Sequence, residues 1–112
     1  MKKDLLIFVR HILESIEKIE LFTKNVKKSD FFKNEEKQSA VIRQIEIIGE
    51  AAKNIPNSFR SDNDIPWKDI AGMRDKLIHH YFGVNLENVW KVVIEDLPVL
   101  KSQIKNILGK EN

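Results

Sequence analysis

One stretch decides the fold: residues 41–55, which have the sequence VIRQIEIIGEAAKNI. Its apolar residues recur every three or four positions, at Val41, Ile45, Ile48, Ala52 and Ile55. That period aligns side chains along one face of an α-helix. The face is widened by Ile42, Ile47 and Ala51. An apolar face this wide predicts packing on more than one side, and a second copy of the chain is one candidate neighbour.

The same period predicts a long helix on each side of this stretch. Apolar residues recur in this way from Lys3 to about Val26, so we predict a first helix there. A last helix is predicted from Leu86, with Asn85 as its N-cap and with Pro98 kinking or dividing it. Its inward residues are predicted to be Val89, Val93, Leu97, Leu100, Ile104 and either Ile107 or Leu108.

Shorter signals predict how these helices are joined. The polar residues 27–30 predict a turn, with Phe31 and Phe32 covering the core beside it. Asn34, followed by two glutamates, predicts the N-cap of the helix that contains residues 41–55. Pro56 ends that helix, and residues 57–65 are predicted to form a surface loop.

A third helix is predicted to begin at Pro66, which suits a first helical turn. Its apolar residues are Trp67, Ile70, Met73 and Leu77, and Gly72 lies inside the pattern as a possible break. No segment alternates as a strand would. The sequence therefore predicts an all-α, antiparallel four- to five-helix bundle, with one domain over residues 1–112 that is expected to form a homodimer.

Composition is ordinary for a globular protein, with 42% hydrophobic and 32% charged residues. The net charge of +2 does not by itself indicate a nucleic-acid binder. Lysine clusters at residues 24–28 and 101–110 are interpreted as solvated helix faces, with a phosphate-binding surface as the alternative. The chain has no cysteine, which excludes disulfides and thiolate chemistry. Without a long apolar run, we predict a cytoplasmic protein that does not enter membranes.

A motif of residues that could take part in catalysis follows Met73: Arg74, His79 and Tyr81, at the spacing Arg-x4-His-x-Tyr. Arginine presents a permanent cation with planar donors for phosphate, and histidine can move a proton near neutral pH. A tyrosine hydroxyl can itself accept a transferred group. Asp75 could orient His79, because residues four apart share a helix face. These residue types suit phosphodiester chemistry.

The spacing poses a geometric problem. On an ideal helix, Arg74 and His79 lie roughly 140° apart, so one regular helix does not aim both at one phosphate. Either the helix unwinds near His79, or Arg74 reaches across, or a second copy of the motif completes the site in a dimer. Completion of the site by a second copy in a dimer is the simplest of these solutions.

Each motif residue also has a purely structural interpretation. Arg74 could lie at the edge of the apolar stripe and pair with Glu50 or Asp75. His79 could form a solvated pair with Asp75 near a helix end, and Tyr81 could be an aromatic residue at the core boundary. His80 is interpreted as a solvent-facing or capping residue. A metal site made from the adjacent histidines is disfavoured, because they point about 100° apart on a helix.

Residues around the motif carry a resemblance to a known family. They are Ile48–Pro56 (IGEAAKNIP), Ile65–Met73 (IPWKDIAGM), Tyr81–Trp90 (YFGVNLENVW) and Glu95–Pro98 (EDLP). With the motif, they resemble HepT-like proteins of the HEPN superfamily over essentially the whole chain.

The resemblance implies a function. HepT-like proteins are ribonuclease toxins of a type II/VII-like toxin–antitoxin system, and they cut RNA without a metal or other cofactor. It implies that Arg74 and His79 are catalytic, with Asp75 in support. It also implies that a cognate MNT-type nucleotidyltransferase antitoxin transfers AMP to Tyr81. The alternative is a non-catalytic helical nucleotide-binding or partner module that regulates a nucleotidyltransferase.

Overall fold

The computed structural model describes residues 2–56, 65–73 and 85–111, and every regular element within them is helical. The elements are α1 (Lys2–Thr23), α2 (Lys28–Lys33), α3 (Glu35–Lys53), α4 (Trp67–Ala71), α5 (Leu86–Lys91), a π-helical turn (Val92–Asp96) and α6 (Leu97–Glu111). The predicted all-α bundle is confirmed. A single domain over residues 1–112 and the homodimer stay predictions.

The core forms around α1, which packs against α3 and α6. Lys37, at the start of α3, donates from Nζ to the Phe22 carbonyl at the end of α1, at 2.8 Å. Lys101, near the start of α6, donates from Nζ to Glu20 Oε1 at 2.7 Å. Because α3 and α6 both begin where α1 ends, both run antiparallel to it, as the sequence predicts.

The apolar stripes identified in the sequence are the buried faces of these helices. All five stripe residues of the opening stretch have relative exposures of 2% or less: Val41, Ile45, Ile48, Ala52 and Ile55. Ala51 is buried beside them, whereas Ile42 and Ile47 are half-buried. The wide apolar face is explained by two neighbours within one chain, because α3 packs against both α1 and α4.

The predicted turn at residues 27–30 is wrong in one respect, since Lys28–Lys33 forms the short helix α2. Asn25 reverses the chain before it, with a φ of 60° in the left-handed region that asparagine tolerates better than most residues. Phe31 is fully buried. Burial of this aromatic side chain stabilises a helix too short to form alone.

Two asparagines cap helices as predicted. The side chain of Asn34 accepts from the Lys37 backbone N–H at 3.0 Å, and that of Asn85 accepts from the Asn88 backbone N–H at 3.1 Å. Both bonds satisfy the third N–H of a helix, which otherwise has no partner within it. The starts of α3 and α5 are thereby fixed.

The third helix is shorter than the sequence predicts. Within the described residues it covers only Trp67–Ala71, and Pro66 lies at its N-cap rather than inside its first turn. Gly72 follows as the C-cap, and its N–H donates to the Lys68 carbonyl at 3.0 Å. The predicted break at Gly72 is confirmed. Leu77 and residues 57–64 of the predicted loop at 57–65 lie outside the described residues.

The break predicted near Pro98 takes the form of the π-helical turn directly before it. The Leu97 N–H donates to the Val92 carbonyl, five residues back. Pro98 has no N–H to offer the Ile94 carbonyl, so the regular α pattern is not available there. The backbone stays helical on both sides of the turn.

Candidate functional site

The motif residues Arg74, Asp75, His79, His80 and Tyr81 all lie outside the described residues. Their mutual geometry therefore stays a prediction, as does the dimeric solution to it. The structure does describe the residues that lead into the motif segment, 65–73, and those that follow it, from Asn85 onward. These flanks determine where the segment begins and ends.

The entry to the motif is anchored on the core by α4. Trp67 and Ile70 are 3% and 4% exposed, and α4 packs against α3. Met73, immediately before Arg74, is half-buried against the same core. The chain therefore enters the motif from a fixed position.

The exit is anchored by α5, which docks on α2. The rings of Phe31 and Trp90 have centroids 5.2 Å apart, and Lys28 Nζ lies 2.8 Å from Glu87 Oε2. The ion pair is exposed and contributes little, but the fully buried Phe31 makes the docking an apolar contact. With Asn85 capping α5, the described residues on both sides of the motif segment are anchored on the core.

An open groove of about 500 Å³ lies between α4 and the C-terminal helices. Six apolar residues line it: Pro66, Ile70, Met73, Val92, Val99 and Leu100. Five polar residues surround them: Asp69, Asn88, Lys91, Asp96 and Gln103. The groove thus includes the residue before Arg74 and the first helix after the motif.

The groove combines a hydrophobic floor with polar atoms that can read hydrogen-bonding groups. Ile70, Val92 and Leu100 are almost completely buried and support the floor, whereas Asp69 and Asp96 are exposed at its rim. The lining residues of the groove include two carboxylates, Asp69 and Asp96, and one lysine, Lys91. This charge balance disfavours an anion inside the groove and favours a neutral or donor-rich ligand.

The groove residues were not identified from the sequence. Asn88 and Lys91 stand one helical turn apart, beside the predicted buried stripe, and carry no motif of their own. Their meeting with Asp69 depends on the packing of helices distant in sequence. The sequence signal was limited to the polar character of Asn88, Lys91 and Gln103, which resembles that of any solvated helix face.

Glu50 was one predicted partner for Arg74. It lies at the surface, where Oε1 is 3.7 Å from Lys53 Nζ and the side chain is 66% exposed. An ion pair there would be screened by solvent and contribute little. Pairing of Arg74 with Glu50 stays a prediction.

An all-helical bundle with an Arg-x4-His-x-Tyr motif between two core-anchored helices defines a protein of the HEPN class. The sequence profile of the family described as "Ribonuclease HepT-like" matches residues 12–107. The chain belongs to that family, which confirms the resemblance identified from its residues.

Several curated relatives are similar over nearly the whole chain. A Thermococcus cleftensis protein with the name "Probable ribonuclease HepT" is 49% identical over 108 residues, covering 96% of this chain and 98% of the relative. A Caldanaerobacter subterraneus protein named as a candidate RNase is 46% identical over 105 residues, covering 93% of this chain and 94% of the relative.

A third relative is longer. A Methanocaldococcus jannaschii protein, named as a gamma-glutamylcyclotransferase and candidate RNase, is 55% identical over 109 residues. The match covers 96% of this chain but 49% of that relative, so this chain spans about half its length.

No solved structure matches the chain. Within the described residues, the helices are too short or too polar to cross a membrane.

Proposed function

We propose that this chain is a metal-independent endoribonuclease and the toxin of a toxin–antitoxin pair. One observation carries the proposal: the intact Arg74, His79 and Tyr81 motif lies between two helices anchored on the core of a HepT-like bundle. The name of the Thermococcus relative, which covers the same length, supports ribonuclease activity.

The reaction we propose uses the RNA's own 2′-hydroxyl as nucleophile. Its oxygen bonds to the adjacent phosphorus and the bond to the 5′-oxygen breaks, leaving a 2′,3′-cyclic phosphate and a 5′-hydroxyl. His79 takes the proton from the 2′-hydroxyl or gives one to the leaving oxygen. Arg74 holds the phosphate and stabilises its developing charge, and Asp75 orients His79. DNA lacks the nucleophile and is expected to stay intact.

The dimer is part of the proposal. Because Arg74 and His79 diverge on a regular helix, two copies of the motif meeting across an interface would place both residue types at one phosphate. A single chain with an unwound helix is the alternative. Sedimentation of the purified protein, beside its activity as a function of concentration, separates the two.

Regulation by a cognate nucleotidyltransferase antitoxin completes the proposal. The Tyr81 hydroxyl oxygen attacks the α-phosphorus of ATP, pyrophosphate leaves, and AMP stays bonded to the tyrosine. The added charge and bulk beside Arg74 and His79 would compete with RNA for the site. A Tyr81→Phe variant should then cut RNA but gain no mass when it is incubated with ATP and the antitoxin.

The deciding experiment is cleavage of labelled RNA in EDTA by chain that mass spectrometry has verified to lack AMP. Arg74→Ala and His79→Ala should each abolish cutting. His80→Ala is the matched control, because it removes the neighbouring imidazole and should cut normally. Equal activity of all variants would identify a contaminating nuclease. An inactive but folded parent would favour the non-catalytic partner module.

A further inference from the structure

We propose that the groove between α4 and the C-terminal helices binds one unstacked base of the RNA and prefers bases that carry an exocyclic amino group. This inference rests on the proposed ribonuclease function and adds a base-reading site to it. The groove has a volume of about 500 Å³, within the range of small-molecule sites. A base with its ribose is a ligand of that scale.

The lining explains why a base fits better than the phosphate backbone. Ile70, Val92 and Leu100 form the nearly buried base of the groove, and the more exposed Met73 and Val99 offer a flat aromatic ring an apolar surface. Asp69 and Asp96 at the rim repel phosphate, and Lys91 provides one positive charge against those two negative ones. A phosphodiester would remain outside while the uncharged base enters.

The same polar residues predict which bases are favoured. Carboxylates only accept hydrogen bonds, and the amino groups of cytosine, adenine and guanine donate them. Uracil has no exocyclic amino group and can donate only from its ring N3–H, whereas each of the other three bases offers at least two N–H donors. Asn88 and Gln103 can accept or donate and suit any base. The rim therefore discriminates against uracil.

The position of the groove connects it to the reaction. Met73 lines the groove and precedes Arg74, and Asn88 lies in the first turn of α5 after the motif segment. Single-stranded RNA is typically recognised by bases that are turned out of their stack into such pockets. A base held here would fix which phosphate reaches the motif.

The test uses binding, so that it does not depend on cleavage. Uridine hexamers with 2′-O-methyl groups lack the nucleophile, and one position is replaced in turn by adenosine, cytidine or guanosine. Fluorescence anisotropy with the full chain should give about tenfold tighter binding for the amino-bearing hexamers, a typical gain for one well-paired base. Asp96→Asn should reduce that ratio severalfold.

A matched pair of variants tests the location. Val99 lines the groove and is 60% exposed, whereas Ile94, five residues earlier in the π-helical turn, is 54% exposed and does not line it. Val99→Lys places an ammonium one turn from Asp96, where it competes for the carboxylate. Ile94→Lys adds the same charge elsewhere. We expect the first to abolish the base preference and the second to keep it.

The outcomes are distinct. Equal affinity for all hexamers, or a preference that survives both Val99→Lys and Asp96→Asn, would overturn the groove assignment. Cutting of RNA without base preference rejects the groove alone, whereas neither cutting nor binding rejects the proposed function as well. A change in sedimenting mass with Val99→Lys only would identify the groove as an interface between copies, which also overturns the proposal.

Discussion

Removing the helix cap at Asn85 should affect both stability and RNA cutting, whereas removing the equivalent cap at Asn34 should affect stability alone. Both side chains accept a hydrogen bond from the third N–H of their helix, at 3.1 and 3.0 Å. Replacing such a cap by alanine costs about 1 kcal/mol. In urea, with a slope of about 1–3 kcal/mol/M, the unfolding midpoint should fall by about 0.3–1 M.

The two variants should differ in activity because α5 holds the exit of the motif segment. Asn85→Ala lets the first turn of α5 fray, and activity should fall by up to about fivefold, the factor that ~1 kcal/mol represents. Asn34 begins α3, next to α2, and its loss should leave cutting unchanged where the protein is folded. Asn85→Asp is the control, since aspartate caps equally well and its charge suits a helix N-terminus.

The measurements are urea unfolding of each variant and RNA cleavage well below the unfolding midpoint. An Asn85→Ala variant as stable as the parent would refute the capping argument. Equal activity losses in Asn34→Ala and Asn85→Ala would refute the idea that the exit anchor has a special role.

Three further changes test the packing. Phe31→Ala should cost about 3–5 kcal/mol by urea unfolding, because the ring is fully buried, whereas Phe32→Ala should cost clearly less because that ring is half-buried. Gly72→Ala should raise the free energy of unfolding by about 0.4–1 kcal/mol, because alanine restricts the unfolded chain more than glycine does. The φ angle of Gly72 is −87°, which alanine can adopt, and the new Cβ would lie 3.4 Å from the nearest carbonyl oxygen. A destabilised variant would contradict this prediction. The hydrogen bond to Glu20 raises the pKa of Lys101 above its ordinary value of 10.5. The pair therefore stabilises the fold fully below pH 10.5 and loses its effect as the pH rises through the raised pKa. Glu20→Gln should lower Tm at neutral pH, and a Tm difference that persists at much higher pH would count against the pair.

The long helices could be predicted because burial imposes a period on the sequence. The stripe residues of α3 and of the C-terminal helices are the buried ones, and both asparagine caps act as their sequence context predicts. Helix α2 escaped prediction because six residues carry too little periodic signal. Its existence depends on the burial of Phe31 against Trp90, a contact distant in sequence.

The candidate site likewise has a part that could be predicted from the sequence and a part that could not. Residue types and spacing suffice to single out Arg74, His79 and Tyr81, because their chemistry is intrinsic to the side chains. The groove could not be predicted, since Asp69 and Gln103 meet only through tertiary packing. Local sequence therefore predicts chemically reactive residues well and concave binding sites poorly.

The π-helical turn amounts to one amino acid inserted into an otherwise regular helix. Two consecutive residues, Val92 and Val93, are buried at the turn, whereas the other buried positions of these helices, Val89, Leu97, Leu100, Ile104 and Ile107, follow the ordinary spacing of three and four residues on either side of it. Deleting the exposed Ile94 would restore that spacing across the turn and keep the inward stripe. The wider turn therefore absorbs the extra residue, so the two halves of the helix keep their buried faces on the same side, and Lys91 and Val99 can line one groove.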